Sequence, residues 1–138
     1  MSFDVNKNYI KNRLEGLGYI ESKSAFNFDD APSTEYDKHF ILLLTDGSID
    51  PDGENINARM YDNQTWQVQI AFAKSTHSDV IKRDTMYRSI EAIIKDLDNP
   101  NNYGDTVRKI RYETWEVEES ANYFLLKINF KVQDKYTY

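Results

Sequence analysis

The chain has 138 residues, 40% of them hydrophobic and 29% charged, which is typical of a soluble globular protein with one domain and a sizeable core. Its net charge of −6 disfavours nonspecific binding to nucleic acid, and the absence of cysteine excludes disulfides and thiol chemistry. No apolar run approaches the roughly 20 residues of a membrane span, and the N-terminus lacks a signal-peptide pattern. We therefore expect a single domain over residues 1–138, made in the cytoplasm and without membrane contact.

The first predicted element is a helix over residues 2–18. Phe3, Ile10, Leu14 and Leu17 fall on one stripe at helical spacing. Gly18 is expected to end the helix, because glycine readily adopts the left-handed conformation that closes a helix C-terminus. A short strand is expected at residues 19–20, and a loop at 29–33.

Two strands and a loop follow. Residues 39–45 are a short apolar run, which predicts a buried central strand, and residues 46–55 are rich in Asp and Gly, which predicts a loop. The next strand, expected to start near Met60, alternates with a period of two, and only a strand places alternate side chains on opposite faces. Its apolar face carries Trp66, Val68, Ile70 and Phe72, and its other face carries Thr65, Gln67, Gln69 and Ala71.

A second helix is predicted to begin among residues 75–79 and to end by Asp98, because the sequence around Pro100 cannot continue a helix. Its apolar stripe comprises Val80, Tyr87, Ile90, Ile94 and Leu97, widened by Ile81, Met86 and Ile93.

Two strands are predicted to close the chain, at residues 107–117 and 123–132, with a turn at 118–120. The element order favours an α+β fold, with an antiparallel or mixed β-sheet of four to five strands and two helices packed on one face. The predicted core comprises Trp66, Val68, Ile70, Phe72, Ile90, Ile94, Leu126, Ile128 and Phe130.

The acidic segment around residue 50 has some features of a calcium-binding loop. Asp50, Asp52 and Gly53 align with the third, fifth and sixth loop positions. However, the first position is then Ser48, and the twelfth, which should supply a bidentate glutamate, is Arg59. A solvated turn is the better interpretation of this segment.

The sequence shows no catalytic signature either. The two histidines, His39 and His77, have no neighbour at the spacing of zinc ligands, and no G-x-S-x-G elbow is present. We therefore expect no enzymatic activity, no catalytic residue, no bound metal and no cofactor.

The remaining features of the sequence indicate self-association. Aromatic residues make up 14% of the chain and include 10 tyrosines, and aromatic side chains are enriched at protein interfaces. Neutral amides on a strand face can also hydrogen-bond across a subunit contact, although the alternative is that they simply face water. The candidate interface or lumen residues are Asp46, Asp50, Asp52, Glu54, Gln67 and Gln69.

The element order, the short acidic chain and the run from Thr65 to Ile70 resemble the tail terminator and minor tail protein family of long-tailed, lambda-like bacteriophages. In that family, too, an N-terminal helix precedes strands and a Thr-Trp-led alternating strand leads into a helix. A second alternating strand then closes the chain, here at residues 122–130. The segment 46–57 is longer than the family pattern.

The resemblance implies a structural virion protein assembled in the host cytoplasm. It would form a homo-oligomeric ring, expected to be a hexamer, at the head-proximal end of the tail. There it would stop polymerisation of the tail tube protein and present a surface for the head-closure or connector protein, while DNA passes through its lumen without specific binding. Two alternatives remain open: a head-closure or tail-completion neck protein, and a small cytoplasmic α+β binding or regulatory domain.

Overall fold

Two helices and five strands make up the fold. The computed structural model describes residues 3–22, 37–50, 59–74, 79–103, 109–119 and 123–137. In chain order the elements are α1 (Phe3–Gly16), β1 (Ile20–Glu21), β2 (His39–Asp50), β3 (Arg59–Ala73), α2 (Asp79–Leu97), a 3₁₀ turn (Pro100–Asn102), β4 (Lys109–Glu119) and β5 (Tyr123–Thr137).

The five strands form one mixed sheet in the order β1-β2-β3-β5-β4. β1 pairs in parallel with the start of β2, where Ile20 lies opposite His39. All other neighbouring strands pair antiparallel. The β2–β3 pair and the β4–β5 pair are joined in the centre of the sheet by the pairing of β3 with β5. The predicted α+β class, with four to five strands in a mixed sheet, is confirmed.

The hydrophobic core lies between one face of the sheet and both helices. Trp66 in β3 is 4% exposed and lies opposite Phe130 of β5, which is fully buried. The residues predicted for the core all belong to this cluster or pack against it, with Ile94 partly buried at its margin. The helices contribute chiefly Ile10, Leu14, Met86, Ile90, Ile93 and Leu97. The period-two pattern of β3 and β5 therefore separates this buried face from a second face, which is polar around Gln67 and Asn129 but buried and apolar at Ala71, Tyr123 and Leu125.

The C-terminus of α1 shows how glycine sets a helix boundary. Gly18 has φ +97, in the left-handed region. The backbone N–H of Gly18 donates to the carbonyl of Glu15 at 3.0 Å, and that of Tyr19 donates to Leu14 at 3.1 Å. This pair of hydrogen bonds is a Schellman motif, and the accompanying apolar contact is supplied by two buried residues, Leu14 and Tyr19.

A polar contact holds the two helices together at the margin of the core. The guanidinium of Arg13 in α1 donates two hydrogen bonds to the carboxylate of Asp96 in α2, both 2.7 Å long. Beside it, the hydroxyl of Tyr9 donates to the carbonyl of Leu97 at 3.1 Å, and the ring packs edge-on against Tyr103. Burial raises the pKa of the Tyr9 hydroxyl from 10.0 to about 12.

The predicted loop at 46–55 is wrong at its start, because residues 46–50 continue β2. They pair with residues 61–65 of β3, beginning with Asp46 opposite Thr65 and ending with Asp50 opposite Tyr61. A bulge between Leu44 and Asp46 precedes this extension. Turn propensity is a local preference, and pairing with the neighbouring strand overrides it here.

The predicted turn at 118–120 is also wrong at its first two positions. Glu118 and Glu119 belong to β4 and pair with Leu125 and Phe124. Their carboxylates form ion pairs with Lys127 at 2.6 Å and Lys74 at 2.7 Å. The two adjacent acidic residues predict a turn from the sequence alone. In the fold each forms an ion pair with a lysine that only the folded sheet brings close.

Two residues assigned to apolar helical stripes are exposed. Leu17 follows the last residue of α1 and is 39% exposed, because the helix ends two residues earlier than predicted. Tyr87 is 46% exposed, since the buried stripe of α2 is centred on Met86, Ile90, Ile93 and Leu97. The end of α2 at Leu97 agrees with the prediction. The predicted loop at 29–33 and the helix-start residues 75–78 lie outside the described residues.

Candidate assembly surfaces

The predicted acidic interface residues do not form one loop. Asp46 and Asp50 are positions in the paired strand β2, and Asp52 and Glu54 lie outside the described residues. The calcium-loop alignment fails on the same ground, because its residues 48–50 and Arg59 belong to two paired strands. In the described ranges no group of three or more His, Asp or Glu side chains is arranged to hold a metal ion.

The structure brings Gln67 and Gln69 into a hydrogen-bonded row on the sheet face away from the helices. The Nε2 of Gln69 donates to the Oε1 of Gln67 at 2.6 Å, and the Nε2 of Gln67 donates to the Oδ1 of Asn129 at 3.1 Å. Asn129 in turn donates to the hydroxyl of Thr114 at 2.9 Å. We call these four side chains the amide ladder; it crosses β3, β5 and β4 and carries no net charge.

Three hydrogen bonds link the side chains of the amide ladder, which reduces the cost of placing this polar surface next to another molecule. The glutamines were found from the sequence by alternation alone. Asn129 was seen in the same pattern, but its contact with Thr114 depends on the register of β4, which the sequence did not reveal.

A second polar network is buried inside the core. The side-chain oxygen of Gln64 accepts hydrogen bonds from the Nδ2 of Asn6 at 3.0 Å and the Nε1 of Trp66 at 2.9 Å. Asn6 and Gln64 are both fully buried. This network fixes the first helix over the start of the Trp66 face, and we assign it to packing, not to a functional surface.

One lateral end of the sheet is the outer edge of β2. β1 covers only His39 and Phe40 there, so that from Ile41 onward β2 has a strand partner only on its β3 side among the described residues. Leu43 and Leu44 lie on this stretch and are 40% and 41% exposed. The prediction of a buried central strand at 39–45 is therefore wrong for the second half of that segment, because strand order, which the sequence does not specify, leaves this side of β2 without a neighbour. We call this stretch the β2 edge. Large apolar side chains on an unpaired strand are a favourable template for another strand.

The other lateral end is β4, whose only strand partner in the described part of the chain is β5. We call its outer side the β4 edge. Trp115 is 44% exposed there and contacts Tyr87 of α2, with ring centroids 6.2 Å apart. The edge is otherwise largely charged, with Lys109 and Arg111 exposed at one end and Glu116 and Glu118 at the other.

A groove runs between α2 and the β4 edge, with a volume of about 550 Å³. It is lined by Tyr87, Ile90, Glu91, Ile94, Lys95 and Trp115. Its polar lining is the ion pair between Glu91 and Lys95, at 2.8 Å, and both side chains are mostly exposed. Hydrogen bonding from Lys95 lowers the pKa of Glu91. This volume is in the range of small-molecule sites, yet such sites have convergent polar groups; the apolar lining here favours a side chain of another protein.

Neither helix in the described residues is long and apolar enough to cross a membrane. No model of a known protein family matches the sequence, and no curated protein gives a significant match.

Proposed function

We propose that this chain is a structural protein of a long-tailed phage, a tail terminator that forms a ring at the head-proximal end of the tail. The observation that carries the proposal is the open sheet: among the described residues, β2 from Ile41 onward and β4 each lack a strand partner on the outer side, and both expose large apolar side chains. Monomeric proteins normally protect such edges. An assembly that pairs them is a simple way to cover both.

Two different edges on one subunit support a head-to-tail contact. If one edge of each copy binds the other edge of the next, the contact is heterologous and produces a closed ring when the rotation between copies closes. A ring is what the resemblance to the tail terminator family implies. The order of elements, with α1 before three strands and α2 before two more, supports that resemblance.

The charge balance also supports a conduit for DNA. The chain carries 23 acidic and 17 basic residues, and an acidic wall repels phosphate groups so that DNA moves past it without binding. The amide ladder is uncharged, and its flanking residues Lys127 and Glu118 neutralise one another.

The proposal is tested by removing the gene from its phage and imaging the particles by electron microscopy. Overlong tails are expected if the chain terminates tube polymerisation. Heads without attached tails, next to tails of normal length, would instead assign the chain to head closure or tail completion.

A second test uses the purified protein. Negative-stain images are expected to show rings, either in the protein alone or at the ends of added tail tubes. A strict monomer that neither binds nor caps tubes would contradict the proposal and favour a small cytoplasmic binding domain.

A further inference from the structure

We infer that copies of this chain join by antiparallel pairing of the β4 edge of one subunit with the β2 edge of the next, in a single register that places Leu44 opposite Trp115. The occupant of the groove beside β4 is therefore a second copy of the chain. Closure of this contact into a ring rests on the proposed function, whereas the contact itself rests on the edges of the sheet.

The strand directions permit this contact without turning the subunit over. β2 and β5 run in one direction, and β3 and β4 run in the other, because each of the pairs β2–β3, β3–β5 and β5–β4 is antiparallel. β2 and β4 therefore run in opposite directions. A neighbouring copy placed beside β4 in the same orientation presents its β2 antiparallel to it, as in the rest of the sheet, with both helices on the same face.

The two edges share an unusual irregularity that selects the register. β2 has a bulge between Leu44 and Asp46, and β4 has one between Tyr112 and Thr114. With Leu44 opposite Trp115, the two bulges lie across from each other. A bulge discourages pairing with an arbitrary strand because it twists and kinks the edge. Two bulges at matching positions remove that obstacle for one partner only.

The same register places apolar residues opposite one another on the helix side, with Leu44 across from Trp115 and Leu42 across from Val117. Farther along, Asp50 takes the register position opposite Lys109, whereas Asp46 falls opposite the bulge of β4. A pair of complementary charge such as Asp50 and Lys109 helps to fix register and orientation in a contact.

The groove provides the packing. Trp115 forms its wall and is 44% exposed, while Leu44 is 41% exposed on the corresponding face of the β2 edge. One contact therefore covers both Leu44 and Trp115. Pairing of two β4 edges around a twofold axis would also oppose basic and acidic residues, but it would leave Leu44 exposed.

The absence of cysteine allows a direct cross-linking test on the full chain. In the inferred register Leu43 and Glu116, both exposed on the face away from the helices, are opposite one another. Opposed residues of an antiparallel pair have Cα atoms about 4.5–5.5 Å apart, which suits a disulfide. Single variants Leu43→Cys and Glu116→Cys are mixed and mildly oxidised. A disulfide between the two variants is expected, and neither variant alone should cross-link.

The control arms separate the other arrangements. A mixture of Arg111→Cys and Glu116→Cys that cross-links instead would show that β4 pairs with itself, which overturns the inference. The variant Glu15→Cys, on the exposed side of α1, measures the background of random cross-linking. If neither mixture cross-links above this background, the inference is also overturned.

Edge variants test the same contact by oligomeric state. Leu44→Lys and Trp115→Lys each place a charge on one edge, and each is expected to convert the oligomer into monomer in analytical ultracentrifugation while the far-ultraviolet circular dichroism stays that of wild type. An oligomer that persists in both folded variants would overturn the inference.

The outcomes for contact and function are distinguishable. Cross-linked chains together with normal tails in the gene deletion would keep the contact and reject the terminator. Overlong tails in the deletion, with no Leu43–Glu116 cross-link, would keep the terminator and reject this contact.

Discussion

The indole Nε1 of Trp66 donates a hydrogen bond of 2.9 Å to the side-chain oxygen of Gln64, two residues earlier on the same strand face. Both residues are buried, and the same oxygen also binds Asn6 of α1. The most apolar face of the sheet therefore contains a polar junction that ties β3 to the first helix. Substitutions of Trp66 and Gln64 therefore test how the core is packed.

Trp66→Ala should lower the free energy of unfolding by about 3–5 kcal/mol, because it removes a large side chain from a packed core and leaves a cavity. Trp115→Ala is the matched control, since its side chain is 44% exposed; it should cost less than about 1 kcal/mol. Urea denaturation of the two variants under conditions that keep the protein monomeric measures both. Equal losses would contradict the assignment of Trp66 to the core.

Gln64→Leu should destabilise the fold by about 2–4 kcal/mol, because it leaves two buried donors, on Asn6 and Trp66, without their acceptor. Gln67→Leu makes the same change on the half-buried amide ladder. Water can replace its hydrogen bonds there, so that this control should cost less than about 1 kcal/mol. A thermal melt and urea titration of both variants give the comparison, and a smaller loss for Gln64→Leu than for Gln67→Leu would refute the role of the network.

Arg13→Lys should cost about 1 kcal/mol, because lysine cannot reproduce the two parallel hydrogen bonds to Asp96 and the pair is only partly shielded from solvent. Glu91→Gln removes an exposed pair on the same helix, with Lys95, and should leave stability nearly unchanged, because solvent and salt screen such a pair. Denaturation at low and high salt measures both effects. Equal values for the two variants would show that the contact between α1 and α2 is no stronger than a surface pair.

Stability should fall between about pH 10 and pH 12 as Tyr9 ionises. The folded pKa of Tyr9 is raised from 10.0 to about 12 by burial, so the folded state holds the proton more tightly than the unfolded state. Its contribution is complete below pH 10 and is lost as the pH rises through the folded pKa. Tyr9→Phe should be less stable than wild type at pH 8, through loss of the hydrogen bond to Leu97, and should show a shallower alkaline decline. Parallel curves of unfolding free energy against pH would contradict this.

The parts of the fold that were predicted correctly depend on periodicity. Alternation in β3 and β5 separated Trp66 from Gln67, and Gly18 and Pro100 marked helix boundaries through their own backbone restrictions. These signals are local, so a single sequence contains them.

The parts that were missed depend on partners distant in the chain. Residues 46–50 became a strand because β3 pairs with them, and Glu118 and Glu119 joined β4 because lysines of β5 and the end of β3 lie beside them. The exposed edges were missed for the same reason, since strand order decides which strand is lateral. Trp115 had no signal that distinguished it from a core tryptophan until β4 was placed at the edge of the sheet.

The two tryptophans of the chain lie in opposite surroundings, Trp66 inside the core and Trp115 at the margin of the groove. They are therefore two intrinsic optical probes with separate meanings. Emission from Trp66 reports unfolding, and emission from Trp115 reports whether a neighbour shields the edge. Phenylalanine at either position leaves the other as the single tryptophan, which can be excited selectively over the 10 tyrosines, so that the two variants follow dissociation and denaturation separately without an added dye.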